Sequence, residues 1–107
     1  MRIVLSNLPP DQADAIASTL VEEHLAACVN LFPVKSVYRW KGEICRDPEV
    51  TALIKVRADG VDRLRARLRE LHPYELPEIV ALPVDVEASL AEYVAWVGVE
   101  SAGPDQP

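Results

Sequence analysis

The sequence predicts an α+β fold of the ferredoxin-like, split βαβ type. Its apolar residues switch between a period of two and a helical period, in the order βαββαβ followed by one further helix. That order corresponds to a four-stranded antiparallel sheet with two helices on one face. The chain has 107 residues, half of them apolar, which is the size of one compact domain.

The first strand and helix follow from the N-terminal residues. Residues 3–6 form a short apolar run that predicts a central strand, and Pro9 and Pro10 end it. Asp11 and Asp14 then place acid in the first turn of a helix, where the dipole favours it. The core-facing stripe of this helix follows helical spacing. It comprises Ala13, Ile16, Ala17, Leu20 and Leu25.

A long β-hairpin is predicted in the centre of the chain. Residues 29–40 read as a strand whose Pro33 indicates an edge position or a bulge. Residues 49–57 alternate cleanly and predict the return strand, while Gly42 and the Asp47–Pro48 pair indicate the turn region.

The length of this hairpin carries a prediction of its own. At about 3.3 Å per residue, the strand over 29–40 would extend roughly 40 Å. A globule of this size has a diameter of only about 33 Å. The hairpin should therefore bend at Pro33 or project beyond its own domain. In the second case Tyr38 and Trp40 need another surface, and the simplest one is a second copy in a closed homo-oligomer.

The C-terminal half completes the fold. Residues 59–72 predict the second helix, which Pro73 stops. Residues 79–86 predict the last strand, and residues 88–99 predict an amphipathic helix with Trp96 in the core. We expect one domain over residues 1–100 and a disordered tail over residues 101–107, which are small, polar and proline-bearing.

Composition excludes several classes of function. The formal net charge of −6 argues against nucleic-acid binding, which needs clustered Lys and Arg. No stretch is long and apolar enough to insert into a membrane, and no signal peptide is evident. Cys28 and Cys45 are too few for a disulfide framework, so we expect reduced thiols in a cytoplasm. No catalytic triad motif or phosphate loop is present, so we expect no enzymatic turnover.

Five segments together resemble the CutA divalent-cation tolerance family. They are "LAACVN" (25–30), "SVYRWKGEI" (36–44), "ALIKV" (52–56), "HPYELPEI" (72–79) and "YVAW" (93–96). The resemblance implies a ferredoxin-like subunit in a tight homotrimer, with the long hairpin reaching across to its neighbours. It also implies a role in divalent-metal tolerance, with copper or zinc bound but not held tightly. The family's architecture is similar to the PII signalling proteins. A signalling or scaffold trimer that binds a small anion or an unknown partner protein is therefore the alternative.

The resemblance transfers two metal-ligand candidates to this chain, Cys28 from "AACVN" and His72 from "HPYE". Some members carry Cys where this chain has Ser6, and that missing thiol argues against a thiolate-rich copper site. The alternative for Cys28 is a small buried apolar residue between a helix and a strand.

The segment around His72 concentrates polar side chains. Glu75 adds a carboxylate to the imidazole, a combination that suits Zn or Cu(II), and Tyr74 and Glu78 extend the set as lining of an inter-subunit cleft. The structural alternative is that His72 ends a helix, where a cation favours the dipole, and that the prolines fix a turn.

Three further residues complete the candidate set. Lys55 lies on a strand face and is usually a solvated or ion-paired residue there. If a trimer covers that face, Lys55 needs a carboxylate or an anionic ligand. Tyr38 and Trp40 are predicted at the trimer interface.

Overall fold

The computed structural model describes residues 1–104 and confirms the predicted α+β ferredoxin-like fold. In chain order the elements are β1 Arg2–Leu8, α1 Ala13–Glu22, β2 Cys28–Trp40, β3 Glu43–Val56, α2 Val61–Leu71, β4 Val80–Pro83 and α3 Ala91–Glu100. A single 3₁₀ turn, Ala58–Gly60, leads into α2. No helix in this part of the chain is long and apolar enough to span a bilayer.

The sheet has the strand order β2-β3-β1-β4, with every neighbouring pair antiparallel. Helices α1 and α2 cover one of its faces, because residues such as Leu20 and Leu64 join Val4 and Ile54 in one buried cluster. The opposite side of the sheet, which we call the open face, carries Leu5, Leu53 and Lys55 and is only half-buried. The core therefore lies on a single side of the sheet.

The central hairpin projects, as one of the two sequence alternatives predicted. Pairing between β2 and β3 is continuous from Cys28–Lys55 to Trp40–Glu43. The two strands join through Lys41 and Gly42, whose φ angles of 50° and 82° match the tight turn that suits twisted hairpins. The molecule consequently extends 44 Å along its longest axis. Pro33 lies on the outer strand β2, where a missing N–H donor is tolerated.

The prediction of a turn at Asp47–Pro48 is wrong. Both residues lie inside β3, which begins six residues before the return strand that we predicted from Glu49. The physical reason is that β1 pairs with β3 only over residues 50–56. Before residue 50 one edge of β3 has no neighbouring strand, and a proline, which lacks an N–H donor, is tolerated at such a position.

The C-terminal region differs from the prediction in two places. The predicted disordered tail does not hold for Ser101 and Gly103, which are buried. Ser101 Oγ accepts the Arg57 N–H at 3.0 Å, and the Gly103 N–H donates to the His24 carbonyl at 2.9 Å. Residues 105–107 of the predicted tail lie outside the described residues. Trp96 was expected in the core, but 43% of its surface is exposed.

Candidate functional site

The candidate site residues lie at two separate positions along the sheet. One group surrounds the segment 72–79, which faces the projecting part of the hairpin. The second group lies at the start of β2, where Cys28 pairs with Lys55. The sequence did not separate these two positions.

His72 is a buried residue with both ring nitrogens engaged. It follows the last residue of α2 and keeps only 6% of its surface exposed. Nε2 lies 2.9 Å from the Asn7 carbonyl oxygen, and Nδ1 lies 3.3 Å from the Tyr74 backbone nitrogen. A carbonyl must accept and an N–H must donate, so these contacts define a neutral ring protonated at Nε2. Burial lowers the pKa of His72 from its ordinary value of 6.5, which also favours the neutral form.

Two tyrosine–carboxylate pairs lie on the hairpin side of His72's neighbour Tyr74, whose ring centroid is 4.7 Å from that of His72. The Tyr38 hydroxyl donates to Asp47 Oδ2 at 2.5 Å, which raises the pKa of Tyr38 to about 12. Tyr74 lies near Glu49, a carboxylate with only 7% of its surface exposed. Burial first and the neighbouring Glu49 carboxylate second raise the pKa of Tyr74. In both pairs the neighbouring carboxylate favours the protonated phenol.

These residues form the wall of a groove between the hairpin and segment 72–79. Its volume is about 560 Å³, within the range of small-ligand pockets. We call it the carboxylate groove, after the four acidic side chains that line it. They are Asp47, Glu49, Glu75 and Glu78, and the aromatic residues Tyr38, Trp40 and Tyr74 line it with them.

One cation of the chain itself lies at the carboxylate groove. Lys41 Nζ is 3.9 Å from Glu75 Oε2 and 5.7 Å from the ring centroid of Trp40. Both side chains of the ion pair are largely exposed, so the pair contributes little to stability. The Lys41 ammonium group thus lies near both a carboxylate and an aromatic ring of the groove.

Cys28 and Lys55 form the second group. Lys55 Nζ lies 3.9 Å from Cys28 Sγ, and both residues are half-buried on the open face. Tyr93 of α3 lies nearby, and burial followed by the proximity of Cys28 raises the pKa of Tyr93. Within residues 1–104, Lys55 forms no ion pair with a carboxylate.

The three predicted metal ligands are not brought together. Cys28 pairs with Lys55, whereas His72 bonds to Asn7, whose partner on β3 is Thr51. Four residues along a strand separate these positions, which is about 13 Å. Glu75 belongs to the carboxylate groove, away from Cys28. Among the residues that the structure describes, no three His, Cys, Asp or Glu side chains form a group that could hold a metal ion.

Sequence reasoning missed Asp47 and Glu49 as groove residues. It assigned Asp47 to a turn and began the return strand at Glu49, so neither was placed opposite Tyr38. A signal was available in the alternation itself. Asp47 and Glu49 share the strand face of Cys45, which pairs with Tyr38.

The fold and the carboxylate groove define a class of protein: a small ferredoxin-like domain with a binding groove and a hairpin that extends beyond its core. Comparison with known families is more specific. The family described as CutA1 divalent ion tolerance protein matches residues 2–100. The chain belongs to this family, whose description names tolerance to divalent ions and no catalysed reaction.

Individual relatives agree with this assignment. The divalent-cation tolerance protein CutA of Thermus thermophilus is 45% identical over 97 residues, which are 89% of this chain and 92% of that protein. The solved structure of a PII-like protein CutA from a Nostoc species, in apo form, superposes with a TM-score of 0.93 at 55% identity. That match covers 94% of this chain and 97% of the other. A protein from Archaeoglobus fulgidus, described as a periplasmic divalent cation tolerance protein, gives a TM-score of 0.85 at 33% identity. That match covers 91% of this chain and 95% of the Archaeoglobus chain.

Proposed function

We propose that this chain is a homotrimeric protein that binds divalent cations without turnover and contributes to metal tolerance. The observation that carries the proposal is the carboxylate groove. Four acidic side chains line one cavity of a chain whose net charge is −6, and this arrangement favours cations. Family membership gives this binding its biological context.

Oxygen ligands support the proposal better than the predicted imidazole or thiolate. Glu75 and Glu78 are exposed carboxylates, ready to contact a hydrated ion. His72 would have to give up a hydrogen bond before it could ligate. An ion held by two carboxylates and water has few protein ligands, and we expect it to be bound weakly. We therefore keep the expectation that copper or zinc is not tightly bound as part of the proposal.

The trimeric part of the proposal is supported by unpaired surface. Strands β2 and β4 are both edges of the sheet, and an exposed edge favours pairing with another chain. Large apolar side chains are exposed on the hairpin and on the helix α3. They include Phe32, Val37, Ile44, Tyr93 and Trp96. Patches of this kind mark interaction sites.

Calorimetric titration with Cu(II) and Zn(II) tests the cation site. We expect Glu75→Gln/Glu78→Gln to weaken binding at least about tenfold, because two charged ligands are lost. The matched control is Glu87→Gln, an exposed carboxylate outside the groove, which should leave the affinity unchanged. His72→Gln and Cys28→Ser should also leave it unchanged. Loss of binding in either of these two variants, with the groove variant unaffected, would move the site and contradict the proposal.

The second candidate function is PII-like binding of a small anion, and Lys55 is the residue that favours it. Lys55 is half-buried, and its described side-chain partner is a thiol instead of a carboxylate. Native mass spectrometry of freshly purified protein tests this reading. A retained anion that disappears in Lys55→Met would support it. The cytoplasmic location predicted from the sequence stays a prediction, and cell fractionation is its test.

A further inference from the structure

The carboxylate groove is large enough for an organic molecule. Its volume of about 560 Å³ lies in the range of small-ligand pockets. Its acidic side chains do not converge on one point, since no three His, Cys, Asp or Glu residues among those described form a group that could hold one ion. The groove therefore suits a ligand that carries its positive charges apart from one another.

Glu49 is the carboxylate of the groove that most needs a cation. Only 7% of its surface is exposed, and it forms no ion pair within residues 1–104. Tyr74, which lies near it, is a neutral phenol that supplies no positive charge. A buried carboxylate without a counterion is costly, so a cation that enters the groove gains a strong partner there.

The aromatic walls of the groove favour an organic cation over a bare metal ion. Tyr38, Trp40 and Tyr74 line the cavity together with the carboxylates. Aromatic faces attract ammonium groups and pack against the methylene chains that carry them. An indole ring, by contrast, has an N–H donor and offers no ligand atom to a metal ion.

Lys41 shows how an alkylammonium group fits at the mouth of the groove. Its Nζ lies 3.9 Å from Glu75 Oε2 and 5.7 Å from the centroid of the Trp40 ring. Both members of the ion pair are largely exposed, so a ligand can displace the Lys41 side chain at little cost. Lys41 forms no ion pair with Glu49, which leaves the buried carboxylate free for a second ammonium group.

We propose that the carboxylate groove binds a free aliphatic diamine or polyamine. One ammonium group pairs with Glu49, and another takes the place of Lys41 between Glu75 and Trp40. The methylene chain between them lies along the aromatic walls. The inference rests on the cation-binding groove of the proposed function, to which it assigns an organic ligand besides the metal ion.

Calorimetric titration with 1,4-diaminobutane, in the presence of a chelator, tests the class of ligand. 1-Aminobutane, which reproduces a lysine side chain, should bind at least about tenfold more weakly, because it lacks the second charge-assisted contact. 1,4-Butanediol, which has no charge, should not bind. Equal affinity for the monoamine would assign the groove to single ammonium groups and overturn the proposal.

Two substitutions should move the affinity for the diamine in opposite directions. Glu49→Gln keeps the shape of the side chain but removes its charge, and should weaken binding at least about tenfold. Lys41→Gln removes the competing ammonium group and should strengthen binding about threefold. Glu87→Gln and Lys35→Gln are the matched controls, because they make the same charge changes at exposed positions outside the groove.

Tryptophan fluorescence locates the ligand without relying on affinity. The chain has two tryptophans, Trp40 in the groove and Trp96 on α3. In Trp96→Phe the emission comes from Trp40 alone, and 1,4-diaminobutane should change it at the concentrations found by calorimetry. In Trp40→Phe the emission comes from Trp96 and should stay constant.

The outcomes separate this proposal from metal binding. A chain that binds Zn(II) but no diamine would overturn the inference and leave the proposed function standing. A chain that binds the diamine but no metal would do the reverse. Diamine binding that Glu49→Gln leaves unchanged, with constant Trp40 emission, would place the ligand elsewhere on the acidic chain and also overturn the inference.

Discussion

The two halves of the central hairpin use the same strands for different purposes. Over residues 50–56 the burial of β3 alternates regularly, because Ala52, Ile54 and Val56 face the helices α1 and α2. Over residues 43–48 the alternation is lost, and nearly every position is exposed. Alternating burial indicates a strand with one face packed on the core of its own subunit. Continuous exposure with large apolar side chains indicates a strand that can contact another surface.

The largest effect that separates the two halves should come from paired truncations. Ile54→Ala removes a fully buried side chain and should lower the free energy of unfolding by about 2–5 kcal/mol. Ile44→Ala, in the projecting half, should change it by less than about 0.5 kcal/mol. Urea denaturation at a protein concentration low enough to keep the chains apart measures both variants.

The two variants should show the opposite order of effects on the association of chains. Ile44→Ala should raise the concentration at which chains associate, whereas Ile54→Ala should act on the fold of each chain. Equal destabilisation by the two variants in dissociated chains would break the distinction between the halves, because it would show that the projecting strands pack within their own subunit.

His72 lies at the boundary between the halves and should give a smaller, pH-dependent effect. Its pKa in the folded state is below the ordinary value of 6.5, because burial disfavours the charged ring. The unfolded chain therefore binds more protons, and stability rises with pH. The contribution is fully present above about pH 6.5 and is lost as the pH falls through the folded-state pKa.

The groups around His72 make this prediction specific. Glu49 and Arg69 act on its pKa in opposite directions, and desolvation outweighs both. Urea denaturation at a series of pH values should show a slope below pH 6.5 in the wild type that is absent in His72→Gln. His24→Gln is the control and should retain the slope. A slope that persists in His72→Gln would assign it to other groups.

The sequence predicted the helix-covered half well, because its information is local. The spacing of Val50, Ala52, Ile54 and Val56 follows a period of two, and the helix stripes follow their own period. The strand length around Pro33 left two alternatives, a bend or a projecting hairpin, and the structure shows the second. The hydrogen bond from Tyr38 to Asp47 was not predicted, because the Asp47–Pro48 dipeptide is a turn signal in most contexts. Here the dipeptide lies in a strand, since one edge of β3 is free of β1 at that point.

The candidate site shows a different kind of limit. Cys28 and His72 were grouped by motif. The distance between them depends on the strand register, which places Cys28 beside Lys55 and the His72 partner Asn7 beside Thr51, and single residues do not encode that register. His72 was expected to offer a nitrogen to a metal. Its second bond, to the Tyr74 backbone, requires a turn geometry that a sequence motif does not specify.

The smallest expected effect concerns Ser6, on the helix-covered side of β1. Its hydroxyl is fully buried, and among the described residues it is the one buried side-chain polar atom without a hydrogen-bond partner. An unsatisfied buried hydroxyl costs about 1–3 kcal/mol, while the small cavity left by its removal offsets part of the gain. Ser6→Ala should therefore raise the free energy of unfolding by about 1 kcal/mol.

Ser6→Cys sharpens this prediction, since a buried thiol behaves as a small apolar group and fills the same space. It should match or exceed Ser6→Ala in urea denaturation, and the association of chains should stay unchanged in both variants. Destabilisation by both substitutions would show that the hydroxyl is satisfied within the fold. Ser6 faces the helices, whereas the next residue, Asn7, lines the carboxylate groove. We expect the cation affinity to stay unchanged in both variants, and an altered affinity would show that the two faces of β1 are coupled.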